Sequence, residues 1–134
     1  MAETFLLDLV TPEKTLYSGT VQTVVVPGLM GEFGVLPGHA NMLAELTLGR
    51  LAYQTDTGET VVAVAGGFAD VTGEKVTILL DDAVNALELD VNELDSEISE
   101  LEVQEPSPED EQFALWQEKL NWKKLCKDIA TGEK

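Results

Sequence analysis

Between Pro27 and Leu51 the chain reads PGLMGEFGVLPGHANMLAELTLGRL, a hydrophobic run broken by two Pro-Gly pairs and lone glycines at Gly31, Gly34 and Gly49. Glycine supplies positive φ at no steric cost, and proline fixes φ while removing a donor. The segment must therefore turn sharply several times, with Phe33, Val35 and Leu36 as a short apolar insert between turns. This reading puts Glu32 and the only histidine, His39, on bends outside any regular element. Loops braced by rigid turns commonly carry contacts to other molecules.

The rest of the first two-thirds reads as short β-type runs. Residues 5–10 (FLLDLV) stop at Thr11-Pro12, and the β-branched run 21–26 stops at Pro27-Gly28. Residues 51–55 and 60–65 flank Asp56-Thr57-Gly58-Glu59, and residues 68–71 and 76–80 flank Thr72-Gly73-Glu74-Lys75. Both spacers are hairpin signals. Several strands at roughly 8–12 residue spacing with little helix between them imply an antiparallel β-sandwich. Gly66-Gly67, where the two hairpins meet, reads as a bulge or a close backbone approach. A phosphate-cradling loop would need a helix to follow it, and residues 68–71 read as strand.

After Asp82 the period changes. Leu87, Val91, Leu94, Ile98 and Leu101 recur at steps of four and three, one apolar stripe along a helix. Asp90 followed by Glu93 has capping-box spacing, so the helix is expected to begin just after Asp90. Glu105-Pro106-Ser107-Pro108 breaks it, with Ser107 as the next N-cap and a second helix running from about Pro108 to Ala130 before Gly132. That helix carries Phe113, Trp116 and Leu120 on one side and Leu115, Trp122, Leu125, Cys126 and Ile129 on the other. Either both faces are buried within the chain, or the hairpin opens and offers one to a partner. The expected class is mixed β and α: a sandwich over residues 1–87, then an antiparallel two-helix hairpin over residues 88–134.

Charge narrows the function. The formal net charge is −17, which argues against a nucleic-acid partner, whose footprint is a basic face, and against a stand-alone role on anionic lipid. No Lys or Arg occurs between Lys75 and Lys119, while acids crowd residues 81–111; then Lys119, Lys123, Lys124 and Lys127 cluster. An acidic stretch followed by a basic patch suits a segment that changes partners. No apolar run approaches the ~20 residues that span a bilayer, and the start MAETFLLDLV lacks the basic region and cleavage site of a secretory signal. The chain is thus expected to be soluble, with no direct membrane insertion. One cysteine and one histidine cannot build a soft-ligand zinc site. No nucleophile elbow accompanies His39, so no catalytic constellation forms. Composition and pattern alone describe an acidic, non-enzymatic interaction module without a cofactor or metal; a free-standing ligand-binding sandwich stays open as the alternative.

The string GEFGVLPGHA closely resembles the signature of the epsilon subunit of rotary F-type ATP synthases. The likeness continues in order through FLLDLVTPEKTLYSG, VAGGFADVTGEKVTILLDDA and the charged helical tail. Asn41 and Leu48 depart from it, at positions where the family usually has proline. The resemblance implies a non-catalytic subunit of the central stalk, held where the gamma shaft meets the c-ring and coupling rotation to ATP synthesis. It implies a peripheral location on the cytoplasmic face of a bacterial inner membrane, or the stromal face of a thylakoid. Carried over residue by residue, Glu32 and Phe33 match the c-ring contact, and His39 and Met42 match the gamma interface. The hairpin is implied to restrain ATP hydrolysis by reaching the catalytic beta and alpha subunits, with Lys119, Lys123, Lys124 and Lys127 as the contact residues. Many bacterial relatives bind ATP at the hairpin through Ile/Leu-Asp, two residues, then Arg-Ala. Here those positions are Leu89, Asp90, Glu93 and Leu94. A carboxylate in place of the guanidinium repels a triphosphate, so weak ATP binding or none is expected.

Overall fold

The computed structural model describes residues 3–132. It divides into two compact units, Met1–Asn85 and Ala86–Lys134.

The first unit contains ten strands: β1 (Phe5–Val10), β2 (Thr15–Val21), β3 (Thr23–Gly28), β4 (Gly31–Val35), β5 (Met42–Leu46), β6 (Gly49–Thr55), β7 (Gly58–Val64), β8 (Gly67–Val71), β9 (Lys75–Leu80) and β10 (Ala83–Asn85). They hydrogen-bond in the order β10-β7-β6-β3-β5-β8-β9-β1-β2, with β4 paired to β3. Between β3 and β5 the ladder is a single pair, Gly28 opposite Leu46. Around this narrow joint the sheet folds into the two layers of a β-sandwich. On the other side Tyr17 of β2 and Tyr53 of β6 stack with ring centroids 4.5 Å apart.

Alternation along the strands sends Leu7, Leu9, Val21, Val24, Val26, Leu51, Val64 and Ile78 into the shared core, all fully buried. Each such side chain contributes about 1.5–3 kcal/mol relative to exposure. Both expected hairpins form. In the β8–β9 turn Thr72 Oγ1 donates to the Lys75 carbonyl at 2.9 Å and accepts from the Lys75 N–H at 3.2 Å. Gly66-Gly67 is the close approach that the sequence indicates. A Cβ on Gly67 would stand 2.0 Å from the Leu79 carbonyl oxygen, and its φ is +145°.

Two expectations for this unit need correction. One ladder is parallel: β1 runs alongside β9 from Leu6↔Lys75 to Val10↔Leu79. Local patterning marks both strands but carries no information on their pairing across some seventy residues. Nor is Glu32 on a bend. The turn after β3 consumes only Leu29 and Met30, so Glu32 enters the ladder of β4 directly opposite Pro27.

In the second unit a 3₁₀ turn (Ala86–Glu88) precedes α1 (Val91–Val103) and α2 (Phe113–Ala130). The Asp90 carboxylate caps α1 by accepting from the N–H groups of Asn92 at 2.9 Å and Glu93 at 3.3 Å. Leu94 and Ile98 are buried along the expected stripe. Leu87 is not part of it, because it lies in the 3₁₀ turn and is 93% exposed. The second helix starts five residues later than its cap signals suggest. Ser107 Oγ accepts from Glu109 N–H, and Asp110 Oδ1 then accepts from Gln112 N–H at 2.8 Å. These consecutive side-chain turns compete with helical bonding until Phe113. The helices are antiparallel, since Trp116 near the start of α2 donates its indole N–H to the Leu101 carbonyl near the end of α1, at 2.7 Å.

Candidate docking surface

The Pro-Gly segment builds one exposed corner of the sandwich. At the tip of the β3–β4 hairpin Leu29 is 55% exposed and Met30 98% exposed, with the Glu32 carboxylate beside them in solvent. Phe33 turns inward, half-buried against the core. Its ring lies so close to Gly28 that a Cβ there would stand 2.9 Å from Cε1. Phe33 therefore shapes the hairpin from beneath, and the solvent-facing apolar contacts belong to Leu29 and Met30.

The chain leaves β4 through a second tight turn, in which His39 N–H donates to the Leu36 carbonyl at 3.1 Å. Pro37 and Gly38 occupy its centre, and the φ of +79° at Gly38 suits a type II geometry. His39 is on a bend, as expected, with Nδ1 2.8 Å from the Ala40 carbonyl oxygen. Met42, the first residue of β5, packs partly against the core.

β5 also opens onto a feature that sequence reading passed over. The outward positions of β5, β8 and β9 carry Leu43, Phe68 and Leu79, 71%, 50% and 56% exposed respectively. Phe68 and Leu79 are directly opposed across the β8–β9 ladder. Leu43 opposes Asp70, which sets it diagonally from Phe68. Acids border this apolar band: Glu45 opposes Phe68, and Asp8 lies further along the same sheet. Lys75 at 2.8 Å and the Ser18 hydroxyl at 2.7 Å both bond the Asp8 carboxylate and hold its pKa below the usual carboxylate value. The overlooked signal was apolar residues on both faces of a strand, in FADV and VTILL. A sheet whose solvent face carries large apolar side chains in register is suited to burial against another protein.

The residues of the degenerate nucleotide pattern have structural occupations. Asp90 is committed to its cap, Leu94 is buried, Leu89 is half-buried, and Glu93 faces solvent in the first turn of α1. The four lysines of α2 divide into two kinds. Lys123 Nζ is 2.9 Å from a Glu97 carboxylate oxygen and Lys127 Nζ is 2.6 Å from Asp95, while Lys119 and Lys124 point into solvent. Among the described residues no group of three or more His, Cys, Asp or Glu is placed to hold a metal ion. No helix among them is long and apolar enough to cross a membrane.

Known proteins are similar to this chain. Residues 4–86 match the family described as ATP synthase, Delta/Epsilon chain, beta-sandwich domain. The ATP synthase epsilon chain of Geotalea uraniireducens is 38% identical over 122 residues, covering 90% of this chain and 88% of the relative. That of Desulfatibacillum aliphaticivorans is 47% identical over 93 residues, covering 69% and 66%. Among solved structures, a chain of the Euglena gracilis mitochondrial ATP synthase (OSCP/F1/c-ring, rotational state 1) superposes with a TM-score of 0.77. It is 24% identical, over 96% of this chain and 81% of its own, and supports the fold. A glycine-braced sandwich with an apolar outer face, followed by a capped helical hairpin and matched by these relatives, belongs to the epsilon chain family of the ATP synthase.

Proposed function

We propose that this chain is a non-catalytic subunit of the central stalk, docking the gamma shaft to the c-ring so that rotation is coupled to ATP synthesis. The observation that carries the reading is the in-register apolar band of Leu43, Phe68 and Leu79 on the solvent side of the sheet. It offers gamma a surface that is rigid because its opposite face is the core. The bend bearing His39, and Met42 at the start of β5, adjoin it in sequence and extend the gamma contact. The hairpin tip of Leu29 and Met30, with Glu32 beside it and Phe33 supporting it, faces the ring. The Euglena relative comes from an assembly whose description names F1 and the c-ring, which suits this placement. The protein would then be peripheral, on the cytoplasmic face in a bacterium.

The helical hairpin restrains wasteful ATP hydrolysis by extending toward the catalytic beta and alpha subunits, its lysines meeting their acidic surfaces. Steering between opposite charges assists the approach, while individual exposed ion pairs stay weak. The test is ATP hydrolysis by a complex stripped of this subunit, titrated with the full chain and with a version ending at Leu87. Suppression by the full chain alone assigns restraint to the hairpin. Binding without suppression by either leaves coupling only, and failure of both to bind removes the proposal.

A further inference from the structure

On an α-helix each residue advances about 100°, which places Val91, Leu94, Ile98 and Leu101 in one seam and sets Asp95 and Glu97 roughly 80° to either side of it. The ion pairs Glu97–Lys123 and Asp95–Lys127 therefore bracket the seam of the hairpin from opposite edges. Both pairs join α1 to α2, so neither survives separation of the helices. Their side chains are 31–49% exposed, accessible to a competing charge. Lys119 and Lys124, on the same helix, take part in no ion pair among the described residues.

From this we infer that the two pairs are a charge latch. They set how often the hairpin opens, and the closed hairpin competes with an acidic partner surface for Lys123 and Lys127. The inference rests on the restraint of hydrolysis proposed above and adds its control. The carboxylates that hold the two lysines come from α1 itself. An acidic protein surface is the fitting competitor because it presents the same group that the lysines already hold. Opening requires no new chemistry, only an exchange of carboxylates at Lys123 and Lys127.

Exposed pairs of this kind shift an equilibrium by about 1.5- to 5-fold each, so the two together change the opening constant by roughly 2- to 25-fold. Amide hydrogen exchange on the full chain reads this directly. The double variant Asp95→Asn/Glu97→Gln should exchange faster by that factor across α1 and α2, with the strands unchanged as an internal reference. Glu100→Gln removes an exposed acid of α1 that is in no ion pair among the described residues and should exchange as the unaltered chain does. The swap Glu97→Lys/Lys123→Glu should restore slow exchange relative to Glu97→Lys alone. Unaltered exchange in the double variant, equal acceleration by Glu100→Gln, or no rescue by the swap would overturn the latch.

Suppression of hydrolysis in the stripped complex then separates the latch from the reading beneath it. The double variant should suppress at lower concentration, and the swap, which reverses the charge at residue 123, at higher concentration. Faster exchange with suppression that stays at its original midpoint overturns the competition for a partner. Faster exchange with no suppression by any variant supports the latch and removes the restraint of hydrolysis.

Discussion

Leu43→Ala separates docking from folding more sharply than any other change in the apolar band. Leu43 is 71% exposed in the free chain, so only the remaining third of its surface is engaged by the fold. Burying a whole leucine side chain is worth about 1.5–3 kcal/mol, so docking stands to lose about 1–2 kcal/mol and folding about 0.4–0.9 kcal/mol. The first figure corresponds to a roughly 5- to 30-fold weaker affinity for a complex stripped of the subunit. Leu51→Ala, at a fully buried position, provides the contrast. It should cost about 2–5 kcal/mol of stability, because a cavity is left in a packed core. Urea denaturation and surface-immobilised binding on the same preparations give both quantities. If Leu43→Ala destabilised the free chain as much as it weakened binding, or left binding untouched, the outer band would not be the docking surface.

Three further outcomes follow from named contacts. Gly67→Ala should cost at least about 2 kcal/mol in a urea melt, because the new methyl meets the Leu79 carbonyl in a backbone region that side chains rarely adopt; a cost under ~0.5 kcal/mol would mean the β8–β9 corner relaxes freely. Glu32→Lys should lower proton-pumping efficiency in the reassembled enzyme while leaving the melting temperature within a degree or two, because the side chain is exposed at the hairpin; intact pumping would remove Glu32 from the ring contact. Isothermal titration of the full chain with ATP should show no binding tighter than millimolar, since Asp90 caps α1 and the exposed Glu93 carboxylate beside it repels a triphosphate. A micromolar isotherm would refute it.

Much of the site was legible because turn chemistry is local. Pro37-Gly38 and the isolated histidine placed His39 on a bend, and Asp90 announced its cap through spacing alone. The apolar outer face was harder to see. Phe68 and Leu79 read as ordinary strand residues until the ladder placed them opposite one another with solvent above both. Phe33 entered as a ring contact only through the resemblance, and its packing against Gly28 and the core could not be read from the GEFG string.

By itself the sequence determined the existence and type of most elements, the split between strand and helix periods, and the cap of α1. These depend on φ preferences, side-chain period and hydrogen bonds spanning a few residues. Tertiary structure decided the parallel pairing of β1 with β9, the joint at Gly28 and Leu46 where the sheet folds over, the outward apolar band, and the engagement of Lys123 and Lys127 by carboxylates of α1. Each joins residues well separated along the chain. A pairwise contact of that kind leaves no mark on the local pattern of either partner.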